Sequence, residues 1–118
     1  EGVVMIIGIG CDIVEISRIA NALNKPVIQR ILSEKEQEIA NQYPDKRKAE
    51  WIAGRFAAKE AIYKAIHKVV DCTISDIEVL QDDTGAPVCT CFDYDVMISI
   101  AHEKEYAIAY AMVLTKGS

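Results

Sequence analysis

KRKAEWIAGRFAAKEAIYKAIH, residues 46–67, is the stretch on which the fold turns. It is the longest helical pattern in the chain: alanine recurs along it, proline is absent, and only Gly54 interrupts the helix formers. Counting 100° per residue from Phe56 puts Ile52, Glu60, Tyr63 and His67 within about 40° of it, and Ala53 at about 60°. The opposite side carries Gly54, Ala58, Ala61 and Ala65, small residues that another backbone can approach closely. A helix usable on both faces is expected to be covered on most sides.

Working back from this helix, Asp45 is placed to cap it, and the preceding helix should stop before Pro44, since a residue before proline is pushed out of helical geometry. Ser33 and Glu36 have capping-box spacing and start that helix. Pro26 opens a shorter one after a break at Asn24 and Lys25, and Ser17 is placed to cap a helix through Arg18, Ile19 and Leu23. Met5 to Ile16 alternates as a strand, with Ile7, Ile9, Cys11 and Ile13 on one face and Gly8, Gly10 and Asp12 on the other. Beyond Asp71 the pattern turns to strands: Ile77–Gln81, a turn at Asp82-Asp83-Thr84-Gly85, Val88–Phe92, Val96–Ala101 and Tyr106–Leu114, the last two joined by His102–Glu105. Helices early and strands late predict an α+β domain, an antiparallel sheet packed against helices that include one long central helix. No repeat or linker divides residues 1–118, so one domain is expected, with Glu1 to Val4 read as an upstream extension or a cloning remnant.

A chain of 118 residues, 51% hydrophobic, builds a real core but leaves little room for a deep pocket, so a site shared between subunits is expected. The net charge of −5 argues against a nucleic-acid binder, which usually displaces counterions with a basic surface. A local basic patch remains open: Lys46, Arg47 and Lys48, with Arg55, Lys59, Lys64 and Lys68 at spacings a helix can gather near them. No apolar run reaches the roughly 18 residues of a membrane span, and no signal peptide is recognisable, so a soluble cytoplasmic protein is expected. Cys11, Cys72, Cys89 and Cys91 form no CxxC pair, and His67 and His102 stand far apart, which leaves no zinc-ligand spacing.

Two carboxylates stand out. Asp12 sits on a strand face whose neighbours are glycines, where a turn or cap aspartate is the ordinary alternative. Glu60 falls on an apolar arc, where its desolvation must be compensated by a cation or hydrogen bonds. Lys64, four residues on, offers the ordinary explanation of a helix-surface pair.

Three segments taken together go further: GIGCDIVEISRI (8–19), AGRFAAKEAIYKA (53–65) and ISIAHEKEYAIAYA (98–111). They closely resemble, in order and over nearly the whole chain, the holo-acyl-carrier-protein synthases, the short branch of the 4′-phosphopantetheinyl transferases. The resemblance implies Mg²⁺-dependent transfer of 4′-phosphopantetheine from coenzyme A to a serine of an acyl carrier protein, with release of 3′,5′-ADP. It matches Asp12 and Glu60 to the family's Mg²⁺ ligands, and two carboxylates suit a hard ion that takes its remaining oxygens from substrate and water. Glu60 is ranked as ligand ahead of general base, because a carboxylate on a metal is a weak base. Lys64 matches the lysine beside the diphosphate, His102 a histidine at the nucleotide end, and Lys46, Arg47 and Arg55 basic residues that face phosphates. Gly85 and Pro87 match the turn beside the adenine, and Arg18 the arginine on which the acidic carrier protein docks. The family likeness further implies a homotrimer with sites at subunit interfaces, for which the small-residue face of the long helix is a candidate surface. His102, Gly85 and Pro87 are expected from one subunit, and Asp12, Glu60 and Lys64 from its neighbour. A coenzyme A or nucleotide pyrophosphatase and a non-catalytic coenzyme A-binding trimer are the competing readings.

The chain departs from the family pattern at three places. Ala101 and Glu103 flank His102 where hydroxyl residues are usual, Lys25 and Arg30 are the only basic residues between Arg18 and Ser33, and residues 66–72 replace a glycine-rich stretch.

Overall fold

The computed structural model describes residues 2–117, so Glu1 of the expected extension lies outside the described residues. Strand β1 (Ile6–Glu15) runs into helices α1 (Ile16–Ala20), α2 (Pro26–Ile31) and α3 (Glu34–Ala40), and then into the long α4 (Asp45–Ile66). A 3-10 turn at Ile74–Asp76 precedes strands β2 (Leu80–Gln81) and β3 (Pro87–Val88), which pair with each other, and the hairpin β4 (Asp95–His102) and β5 (Tyr106–Leu114). The α+β architecture is the expected one: an antiparallel sheet in the order β1-β5-β4, with α4 packed across one face. Among the described residues no helix is long and apolar enough to cross a membrane.

The sheet and α4 meet backbone to backbone. Gly10 pairs with Ala111 and Asp12 with Ala109, so the inner face of β1 and β5 carries little beyond hydrogen and methyl groups. A Cβ on Gly8 would lie 2.2 Å from the Ala65 carbonyl oxygen, and one on Gly10 only 1.9 Å from that of Ala61. No side chain fits at such distances. The small-residue face of α4 is thus occupied by β1 of the same chain, which removes it as the surface for a trimer. The other side of the helix, with Phe56, Glu60 and Tyr63 half-buried and His67 exposed, is the more open one.

One ion pair is sealed inside this core. Glu36, third residue of α3's capping box, and Lys59 of α4 both have 0% exposed side chains and meet at 2.5 Å. Burial of Lys59, together with that of Arg55, dissolves the expected surface cluster along α4.

Several boundaries differ from expectation for identifiable reasons. Ser17 caps nothing: β1 continues to Glu15 and the Ile16 N–H donates to the Glu105 carbonyl at 2.8 Å, so the β4–β5 link supplies a partner at the start of α1. Pro44 takes the cap position of α4, which makes Asp45 the first helical residue, where its charge favours the helix dipole. The strand expected over 77–81 shrinks to Leu80–Gln81 because both backbone groups of Val79 are taken by side chains, the N–H by Glu36 and the carbonyl by Arg55. The strand expected over 88–92 pairs only at Pro87 and Val88. Pro26 does open α2, the Ser33–Glu36 box forms with both bonds, and Gly54 leaves α4 unbroken.

The glycine contact predicts a sharp asymmetry. Gly10→Ala should lower the thermal midpoint by at least roughly 10 °C, since overpacking against backbone costs on the order of 3 kcal/mol. Gly117→Ala, whose Cβ would sit 3.5 Å from Val4 Cγ2 in ordinary contact, should leave it unchanged. Calorimetry of the two variants checks this.

Candidate active site

The close approach of β1 to α4 sets the first cluster. Asp12 lies on the helix-facing side of β1, and the Lys64 ammonium reaches across from α4 to donate to Asp12 Oδ1 at 3.1 Å and to the Cys11 carbonyl at 3.0 Å. Lys64 therefore pairs with the strand carboxylate, and the expected alternative of a simple pair with Glu60 along the helix is not what forms. Glu60 stands one turn before Lys64. Its carboxyl is pushed above the usual range, first by burial and then by the negative charge of Asp12, with Lys64 acting in the opposite direction. Two carboxylates from a strand and a helix thus crowd one another beside a single ammonium. Their oxygen donors and mutual repulsion fit a divalent cation of the hard type, and the described residues contain no cluster of three or more ligand side chains that would enclose one. Such an ion would have to complete its shell with substrate or water.

The second cluster lies elsewhere on the chain. A cleft of about 170 Å³ is lined by Arg47, Arg55, Gly85, Pro87 and His102, with Trp51 and Gln81 among its further walls. Five of the residues expected at the nucleotide end are thereby brought together. Gly85 takes φ 89°, which favours glycine, and the turn around it is knotted by Asp82, whose Oδ1 accepts from the Thr84 hydroxyl at 2.6 Å, the Thr84 N–H at 2.9 Å and the Ala86 N–H at 3.0 Å. These bonds, led by the Thr84 hydroxyl, hold the Asp82 carboxyl below its usual range.

Arg55 is more constrained than a free phosphate ligand. It donates to the carbonyls of Val79 at 3.0 Å and Leu80 at 3.1 Å and lies over the Trp51 ring at 4.3 Å. Burial lowers its guanidinium to about 10, while the Glu36 charge acts in the opposite direction. Arg47 is freer, resting on Tyr43 at 5.2 Å and facing Glu50 at 3.8 Å. Lys46 is exposed at the start of α4 and does not line the cleft. Arg18 is exposed on α1, just past the Asp12 end of β1. Glu50, Trp51, Gly54, Gln81 and Ile100 are the wall residues that sequence reasoning missed. The i,i+4 spacing of Trp51 and Arg55 was the available signal.

A further hollow of about 660 Å³ is at neither cluster. It lies on the outer face of the sheet among Ile9, Met97, Tyr110 and neighbours, without converging charges, and so has the character of a contact surface.

Comparison with known proteins, by sequence and by overall fold, points to one family. Residues 8–111 fit the profile of the ACPS 4′-phosphopantetheinyl transferase superfamily. The chain belongs to this superfamily. Among curated transferases, it is 44% identical over 117 residues to a holo-[acyl-carrier-protein] synthase of an Exiguobacterium species, covering 96% of each chain. It is 45% identical over 115 residues to that of a Geobacillus species, covering 92% of this chain and 97% of the relative. Among solved transferase structures, that of a holo-(acyl-carrier-protein) synthase from Bacillus anthracis in complex with CoA (3′,5′-ADP) superposes with a TM-score of 0.85 at 43% identity, covering 95% of this chain and 99% of that one.

The Glu60 carboxyl yields a stability prediction. Because folding raises it, its ionisation opposes folding: the cost is absent below the ordinary carboxylate range, where it is protonated in both states, and complete above the raised value. Glu60→Gln should therefore raise the thermal midpoint by a few degrees at about pH 7.5 and lose that advantage as pH falls to about 4. Calorimetry across this range reads the sign, and a Gln variant less stable at neutral pH would contradict it.

Proposed function

We infer that the chain is an enzyme that transfers 4′-phosphopantetheine from coenzyme A to a serine of an apo acyl carrier protein, releasing 3′,5′-ADP. The observation that carries this reading is near full-length similarity to holo-[acyl-carrier-protein] synthases. The serine hydroxyl attacks the β-phosphate, the pyrophosphate bond breaks, and the electron pair leaves with 3′,5′-ADP. Positioning and charge neutralisation dominate such a reaction.

Asp12 and Glu60 would hold Mg²⁺, which supplies positive charge to the diphosphate when bound. Lys64, anchored by Asp12 and the Cys11 carbonyl, holds a second positive charge where the leaving group gains negative charge. At the other end, Arg47 and His102 would receive the nucleotide phosphates, Gly85 and Pro87 the adenine, with Arg55 in the wall and Lys46 as an outlying charge. Arg18 would meet an acidic helix of the carrier protein. A cytoplasmic setting and a supply of holo carrier to fatty acid biosynthesis accord with this reading.

The proposed assembly is a homotrimer. Ile9, Ile13, Met97 and Tyr110 are 70%, 59%, 62% and 57% exposed on the outer sheet face, a contiguous apolar surface of the kind that marks an interface. The carboxylate cluster and the cleft share no residue, so a complete site would form where the cleft of one subunit meets the carboxylates of the next.

Mass spectrometry of an apo carrier protein mixed with this chain, coenzyme A and Mg²⁺ should show addition of one phosphopantetheine. Free phosphopantetheine without carrier would mark a pyrophosphatase, and intact coenzyme A a binding protein. Asp12→Ala and Glu60→Ala should each lower turnover on the order of 100-fold or more, and the double variant little further, because groups serving one ion act as a unit. Light scattering should give three chains per particle, and mixing His102→Ala with Asp12→Ala chains should restore part of the activity. A monomer, or mixtures as inactive as their components, would contradict the shared site.

A further inference from the structure

The sealed Glu36–Lys59 pair has no part in the chemistry above, and its surroundings say what it does. Glu36 Oε1 accepts from the Ser33 N–H at 2.8 Å and from Lys59 Nζ, and Oε2 accepts from the Val79 N–H at 2.6 Å. Lys59 also donates to the Ile31 carbonyl at 2.7 Å, which ties the end of α2 to the same point. No buried side-chain nitrogen or oxygen among the described residues lacks a partner. The peptide groups of Val79 are therefore gripped from both sides, the N–H by Glu36 and the carbonyl by Arg55.

We propose that Glu36 and Lys59 are a positioning pair for the nucleotide cleft, locking Val79 so that Arg55 and the Gly85 turn stand where coenzyme A's nucleotide end binds. Val79 leads directly into β2, whose two residues pair with Pro87 and Val88, so the placement of β2 is the placement of the Gly85–Pro87 wall. Arg55 donates through Nε to Val79 and through Nη2 to Leu80, so a shift of that segment moves the guanidinium as well. Lys59 stands one turn after Arg55 and immediately before Glu60, which makes α4 the common mount for the lock and the reacting end. Burying two charges is unfavourable unless the geometry is tightly defined, and apolar residues of similar size often serve stability as well or better. The gain here is the fixed place of Val79.

The inference rests on the nucleotide reading of the cleft, and one set of measurements separates the two. Titration calorimetry of the unmodified chain with 3′,5′-ADP comes first: binding is expected, and its absence overturns the cleft reading and this inference together. The variant is the neutral pair Glu36→Gln with Lys59→Met, which leaves no unpaired charge, while the single amide oxygen cannot replace both carboxylate oxygens. With its thermal transition still cooperative, it should bind 3′,5′-ADP about tenfold more weakly and show a similar rise in coenzyme A KM. Its kcat at saturating coenzyme A and its carrier KM should change less than about threefold, a split that general loosening of the fold would not produce. A folded variant that binds 3′,5′-ADP like the parent overturns the positioning role and leaves the cleft reading intact. If the variant does not fold, hydrogen exchange in the unmodified chain decides: the Val79 amide should open only with global unfolding, and exchange as fast as in the 82–86 turn overturns the lock.

Discussion

Gly8 and Gly10 lie so near the carbonyls of Ala65 and Ala61 that a single added methyl would overlap the helix backbone, and this approach governs what the rest of the molecule does. It draws β1 onto α4 more tightly than any pair of ordinary side chains would permit. Asp12, next on the same strand face, is thereby carried within hydrogen-bond reach of Lys64 and into the electrostatic field of Glu60. A larger spacing would leave an aspartate on a strand and a glutamate on a helix with no reason to interact. Stability and chemistry are therefore coupled at one contact: the packing that forms the core also crowds two negative charges together.

The long helix distributes the remaining tasks by rotation. Arg47, Trp51, Arg55 and Lys59 recur at fours and so form one stripe, which begins at the cleft and ends in the ion pair with α3. Glu60 and Lys64 form a second stripe about 100° around the axis, from which Lys64 reaches Asp12 of β1. One rigid element thus carries Glu60 and Lys64 beside Asp12 as well as Arg47 and Arg55 of the cleft. The outer sheet face, apolar and exposed, lies on the far side of the sheet from α4.

Much of this is legible along the chain because it depends on near neighbours. Alternation from Met5 to Ile16, the Ser33–Glu36 box, Pro26, the 22-residue α4 and the terminal hairpin all arise from periodicity or from contacts within a few residues. Asp12, Glu60 and Lys64 could also be singled out, by the glycine neighbours of Asp12, the apolar arc around Glu60, the i,i+4 spacing of Lys64 and the resemblance carried by the three motifs. What sequence alone could not supply were partners brought from afar. The Glu105 carbonyl, not Ser17, serves the start of α1, and Val79 leaves the strand ladder because Glu36 and Arg55 take its backbone groups.

Lys59 marks the division most clearly. Along the sequence it is one of several basic residues spaced on a helix, with nothing to mark it as the one that is sealed. In the fold one lysine is wholly buried against Glu36 and the other half-exposed against Asp12. The sequence by itself determined the helix, the box that starts α3 and the glycine face of β1, because propensity, capping and steric allowance act over short range. Only the tertiary structure decided which charges are sealed and which stay near solvent, because a side chain's partner and its solvent are set by segments that approach from elsewhere in the chain.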